Sequence, residues 1–338
     1  MKNVLQAGKA EQASGRISLG KWLIQRQEIG IVLPILVLVI LAELMNPTFL
    51  SWDNLTDILR STSFTAIIAI AMTFVFIALE LDLSVGSVVG LAGVVVGYLM
   101  ILHVPIWLAV IAGILIGTVC GVITGYLIVN FEIPSMIGSL GMLFIYRGIV
   151  FVVTEGRPLY PLPEKFSNLG LGSFLGLPIP AVVFLILAVI FGYILKNTIY
   201  GRYIYAIGGN KETAWLCGIN IRKIRMSTYW LTGTFAGLVG VMLAARLSSA
   251  QPNAGTGWEM YVIASVIVGG TSMFGGVGTI LGTVLGSILI GMLTNVLVML
   301  RVSTYWQNVA IGLIILIAVI FDQYRKKMAV SNTAKKAA

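Results

Sequence analysis

Three interruptions in an otherwise apolar chain hold the residues able to do chemistry. The first, Glu80-Leu81-Asp82-Leu83-Ser84-Val85-Gly86-Ser87, sets two carboxylates and two hydroxyls between two apolar runs. An acid at membrane depth is costly, so it must face protein, water or the interface. Two roles fit: capping of the next helix by Asp82 or Ser84, and direct contact with a polar solute. The second interruption, Leu247 to Glu259, supplies Gln251, Asn253 and Glu259 around Pro252, Gly255 and Gly257. Its amides and hydroxyls suit a neutral polyol. Its length fits a re-entrant, cavity-lining segment as well as a plain outer loop. Asp82, Ser84, Gln251, Asn253 and Glu259 are therefore the candidate substrate-path residues.

The third interruption, Gly269 to Gly278, is glycine-rich but lacks the Lys-Ser/Thr ending of a Walker A motif, so it reads as a flexible turn. No catalytic or metal-binding set is legible. His103 is the single histidine, Cys120 sits inside an apolar run and Cys217 in a basic loop. Arg147 and Arg246 fall near expected outer helix ends, where long cationic side chains snorkel cheaply.

Such groups must be positioned by helices in lipid. Of 338 residues, 58% are hydrophobic and only 10% charged, and mean hydropathy is +0.98. A soluble surface needs roughly a quarter charged residues. The expected fold is an all-α polytopic membrane protein of about ten transmembrane helices with re-entrant or broken segments. The apolar runs centre on 30–45, 60–79, 87–102, 105–128, 135–153, 179–196, 226–246, 259–273, 279–299 and 304–321.

The charge of +9 follows the positive-inside pattern rather than a nucleic-acid patch, and no nucleic-acid partner is expected. Lys2, Lys9, Arg16, Lys21 and Arg26 precede the first run, and Arg325, Lys326, Lys327, Lys335 and Lys336 follow the last. Ten crossings would leave both ends in the cytoplasm, together with the basic loop 197–225 that holds Arg202, Lys211, Arg222, Lys223 and Arg225. The segment from Thr154 to Pro178 then reads as an ordered periplasmic loop.

The implied organisation has an N-terminal tail, residues 1–28, a membrane domain, residues 29–322, and a basic tail, residues 323–338. Within the first tail, Ile17 to Glu28 suits either a helix at headgroup level or a disordered extension, and no removable signal peptide is visible. Glycines spaced by four, Gly113, Gly117, Gly121 and Gly125 above all, predict close helix contacts, within one bundle in preference to a dimerisation face.

Several blocks together resemble the permease subunits of ribose-type sugar ABC importers, the branched family that serves ribose, xylose, arabinose and galactose. They are Asp82 to Ser87, Tyr146-Arg147-Gly148, Gly201 to Asn210, Ala245 to Pro252 and Ile267 to Ser272, in order between about Asn46 and Asp322. The resemblance implies a bacterial inner-membrane permease for a pentose, a hexose or a sugar-like solute. It implies a second permease chain, as homodimer or related heterodimer, and a periplasmic sugar-binding protein. It also implies a cytoplasmic ABC ATPase that carries the ATP and Mg, with no cofactor on this chain.

The family's coupling segment corresponds here to Gly208 to Gly218, with Gly209, Asn210, Lys211, Glu212, Ala214 and Gly218 as the coupling residues. A helix capped by Asn210 and closed by Gly218 is expected, with Glu212 and Thr213 in its first turn and Ala214 as a small surface for close approach. The chain departs from the family pattern at Glu80, Tyr261, Thr294, Val296, Val298 and Arg301, which leaves the sugar open. The other function classes are an ion-gradient-driven secondary transporter, which also needs broken helices, and an intramembrane enzyme, which needs a catalytic set.

Overall fold

The computed structural model describes residues 27–337, with side chains from Ile31 to Ile320 and at Gln323. The basic residues of the N-terminal tail, most of the Ile17–Glu28 segment and the side chains of the basic C-terminal tail lie outside the described residues.

The described chain is helical almost throughout, at 77%, with one two-stranded hairpin. In order come α1 (Gln27–Met45), α2 (Trp52–Ile77), α3 (Val85–Ile101), α4 (Ile106–Asn130) and α5 (Ser135–Thr154). After these lie α6 (Glu164–Leu171), β1 (Ser173–Phe174), β2 (Leu177–Pro178), α7 (Ile179–Asn197), α8 (Ile199–Gly209) and α9 (Lys211–Leu216). Last are α10 (Ile221–Leu247), α11 (Trp258–Val268), α12 (Ile280–Met299) and α13 (Thr304–Ala337).

Helices occupy all ten apolar runs, and six of them are long and apolar enough to cross a membrane: α2, α4, α5, α7, α10 and α12. The others contain shorter apolar helices, Ile31–Met45, Val85–Ile101, Trp258–Val268 and Thr304–Ile320. Proline and glycine set several boundaries. Pro105, Pro134 and Pro178 cap the starts of α4, α5 and α7, and Gly257, at φ 78°, precedes α11.

The core is built on α2, α3 and α10. Every α2 residue from Ala66 to Ile77 is buried, whereas α5 and α7 turn most of their apolar side chains outward. Glycine lets α4 lie directly on α10: a Cβ added to Gly121 would stand 3.0 Å from the Gly233 Cα, and one on Gly117 would stand 2.5 Å from the Gly237 Cα. The four-residue glycine spacing thus serves packing within the bundle.

The bundle has two distinguishable ends. One carries α8, α9 and the turns 78–84, 131–134 and 269–279. The other carries α6 and the β1–β2 hairpin, in which Ser173 opposes Pro178 and Phe174 opposes Leu177. Order in the Thr154–Pro178 segment comes from these two elements.

Candidate solute path and coupling segment

The first two polar interruptions, far apart in sequence, meet inside the bundle. Residues 250–257 run down α3 from the hairpin end: Ala250 faces Gly97, Ala254 faces Gly90 and Gly255 faces Gly86. That descent covers about 16 Å of helix axis. Gly86 and Gly255 lie backbone to backbone, and a Cβ on Gly86 would also come within 2.5 Å of Glu259 Oε2. Helix α11, with 11 residues, starts at this depth and spans about half a bilayer core. The segment therefore runs along α3 into the bundle, with Gly255 against Gly86.

Irregular backbone at this depth needs internal partners. Arg147 supplies them: its Nη1 donates to the carbonyls of Pro252 at 2.9 Å and Ala254 at 2.8 Å, and its Nη2 donates to the carbonyl of Gly86 at 3.1 Å. The mouth is pinned where Leu159 and Ala250 exchange backbone hydrogen bonds, each of 3.0 Å. Arg147 acts inside the bundle as a clamp on both breaks rather than as an interfacial cation.

Asp82 and Ser84 lie just below this crossing and are both buried. One Asp82 oxygen accepts from the Ser84 amide at 3.0 Å and the Ser84 hydroxyl at 2.6 Å, and the other accepts from Thr232 at 2.7 Å. Ser84 is the N-cap residue of α3, yet its side chain makes no capping bond. Asp82 thus ties the start of α3 to α10. Gln251 is half-buried and donates to Ser249 at 2.9 Å, Asn253 is exposed, and Glu259 is half-buried in the first turn of α11.

None of these five residues lines the nearby cavity of 330 Å³ between α2, α11 and α12. Its polar and aromatic walls are Ser61, Thr62, Thr65, Trp258, Tyr261, Thr294 and Asn295. Thr62 Oγ1 is buried there without a hydrogen-bond partner. Asn295 exchanges hydrogen bonds with Asn54 at 2.9 and 3.3 Å, and Arg246 lies close by with its guanidinium 5.4 Å from the Phe64 ring centre. Hydroxyls, an amide and two aromatic rings are the groups that recognise a neutral polyhydroxylated solute. Tyr261 and Thr294 stand out in the sequence as departures from the family pattern near the path or its supporting helices, whereas Ser61, Thr62 and Thr65 do not stand out. Three hydroxyls on one apolar helix were the available signal.

At the opposite end, α9 has the predicted caps. Asn210 Oδ1 accepts from the Thr213 amide at 2.8 Å, and Glu212 lies in the first turn. Gly218, at φ 79°, donates to the Trp215 carbonyl at 2.9 Å, and Ile219 donates to the Ala214 carbonyl at 3.1 Å, which together form a Schellman closure. Ala214, expected to offer a small open surface, is only 3% exposed. Lys211, Glu212, Trp215 and Leu216 form the outer face.

The run into α9 is seated on both breaks. The amide of Gly276 donates to the Ile77 carbonyl at 2.9 Å, and the hydroxyl of Tyr205 donates to the Gly278 carbonyl at 2.6 Å. The 269–278 segment, expected to be a flexible turn, is thereby anchored to α2 and α8. Beside it Glu80 forms an ion pair with Arg225 and accepts from the Tyr229 hydroxyl at 3.0 Å.

Known proteins resemble the sequence over most of the chain. Residues 54–319 match the family described as branched-chain amino acid transport system / permease component. A ribose import permease protein of Haemophilus influenzae is 39% identical over 92% of this chain and 97% of its own. An L-arabinose ABC transporter permease protein of Azospirillum brasilense is 38% identical, covering 93% and 92%. A D-allose transport system permease protein of Escherichia coli is 38% identical, covering 86% and 90%. No solved structure matches the chain. The chain belongs to this family of multi-pass membrane permeases and, within it, to the ribose-type sugar ABC permeases.

Proposed function

We propose that the chain is the translocating subunit of an ATP-driven importer that moves a pentose, a hexose or a close analogue across the bacterial inner membrane. The observation that supports this reading is the short helix α11, which starts inside the bundle beside Gly86 and contributes to a cavity walled by Trp258, Tyr261, Thr62, Thr294 and Asn295. Broken helices with irregular backbone facing a polar space are the usual build of a membrane solute path.

In this reading the 29–322 domain crosses the membrane ten times, with the 1–28 and 323–338 tails and the 197–225 loop in the cytoplasm. The hairpin end then faces the periplasm and receives solute from a sugar-binding protein. A second permease chain completes the path. A separate ABC ATPase, which holds ATP and Mg, docks on α9, where Trp215 and Leu216 are exposed on a doubly capped helix. Motion of α9 passes through α8 to Ile77 and to the 269–279 turn, and so reaches the start of α3 and the end of α11 together.

Uptake of labelled ribose, L-arabinose and D-allose tests the sugar reading, in cells lacking their own permeases and carrying this chain with its ATPase and binding protein. Accumulation of at least one sugar is expected. Failure of all three, with the complex assembled, would contradict the sugar reading.

A further inference from the structure

Between α7 and α12 lies a groove of 560 Å³, inside the range of about 300–1,000 Å³ usual for ligand sites. Leu185, Val189 and Gly192 of α7 and Ile280, Leu281 and Val284 of α12 make its walls apolar. Val189 and Leu281 are exposed, so the groove opens sideways, toward the surrounding hydrocarbon, rather than into the bundle. At the α8–α9 end it closes on Tyr205 and Lys196. The Tyr205 hydroxyl is engaged by Gly278, whereas Lys196 is exposed and makes no ion pair among the described residues. No carboxylate lines the groove.

We infer that this groove binds an anionic phospholipid of the leaflet on the α8–α9 side, with an acyl chain between α7 and α12 and the phosphate against Lys196. The long apolar slot and the single cation at its end match the two parts of that ligand. Lys196 is next to last in α7, the height at which a headgroup meets a spanning helix. A second copy of the chain fits less well, because covering the slot would bury Lys196 with no acid in the groove to pair it. The site also bears on transport. Ile280 and Leu281 open α12 directly after the turn anchored to Ile77, so a bound lipid would brace that turn.

The test is native mass spectrometry of the full-length chain released from nanodiscs of phosphatidylcholine doped with phosphatidylglycerol. Wild type should retain phosphatidylglycerol selectively. Lys196→Gln should lower that retention about fivefold, the effect of one cation at an anionic surface, and Lys196→Arg should restore it. Gly192→Leu should displace the lipid by filling the slot. A Cβ at Gly192 meets only Ile280 side-chain atoms at 3.8 Å, so this variant tests occupancy without forcing a clash at the backbone. Equal retention in wild type and Lys196→Gln, or unchanged retention in Gly192→Leu, would overturn the inference. Loss of a dimer in Gly192→Leu, with lipid retention unaltered, would overturn it in favour of a second copy.

Discussion

Gly208 of α8 lies flat on the carbonyl of Ile77, the last residue of α2, so closely that no Cβ could stand between them. Its neighbour Gly209 has open space where a Cβ would go. The pair separates a fitted contact from a mere glycine-rich helix end. Gly208→Ala should push α8 off α2, cost about 1–3 kcal/mol through overpacking and lower uptake at least as sharply as stability. Gly209→Ala should leave stability nearly unchanged. Thermal unfolding in detergent, beside uptake per folded molecule, checks the contrast.

The Asp82 cluster predicts a structural phenotype. Asp82→Ala would strip the acceptor from both Ser84 donors, leaving buried polar groups unmatched at about 1–3 kcal/mol, while Thr232 keeps the Tyr229 carbonyl at 3.0 Å as acceptor. Folded yield should fall before solute affinity does. A variant of full yield with a raised KM for uptake would instead place Asp82 on the solute path.

Glu80 and Arg225 form an ion pair whose side chains are only 7% and 12% exposed. Removing one partner strands a charge, so Arg225→Ala should destabilise the chain by about 3–5 kcal/mol. Restoring neutrality with Glu80→Gln in the same chain should recover part of the loss, and a double-mutant cycle by thermal unfolding measures it.

Much of this arrangement was legible in the sequence. The apolar runs located the helices, and Asn210 with Gly218 located both ends of α9, because caps are local chemistry. Contacts between distant segments were not. Arg147 looked like a snorkelling end residue because the three carbonyls it binds come from Gly86, Pro252 and Ala254, and no periodicity links those positions. The burial of Ala214 depends on how α9 packs against the rest of the chain, which its local sequence does not show. The cavity escaped notice because Ser61, Thr62 and Thr65 face Trp258 and Thr294 only once α2, α11 and α12 are assembled.

The orientation can be read from a thiol already present. Cys217, in the closing turn of α9, is exposed, and Cys120 is buried. A membrane-impermeant maleimide should label Cys217 in inside-out vesicles and leave it unlabelled in intact spheroplasts. Labelling in spheroplasts would reverse the proposed topology.

The cavity predicts a specificity effect. Trp258→Ala removes an aromatic wall on which the apolar face of a sugar ring can lie. Uptake per folded molecule should fall several-fold, with a changed order of preference among ribose, L-arabinose and D-allose.

In the proposed function, nucleotide-driven motion entering at α9 powers uptake through the crossed breaks. Right-side-out vesicles containing the chain, its ATPase and its binding protein, with ATP either trapped inside or omitted, test it most directly. The account predicts sugar accumulation only with internal ATP, unaffected when a protonophore and a sodium ionophore collapse the ion gradients, and lost when Trp215→Asp disrupts the exposed face of α9. Accumulation driven by an imposed ion gradient without internal ATP would contradict it.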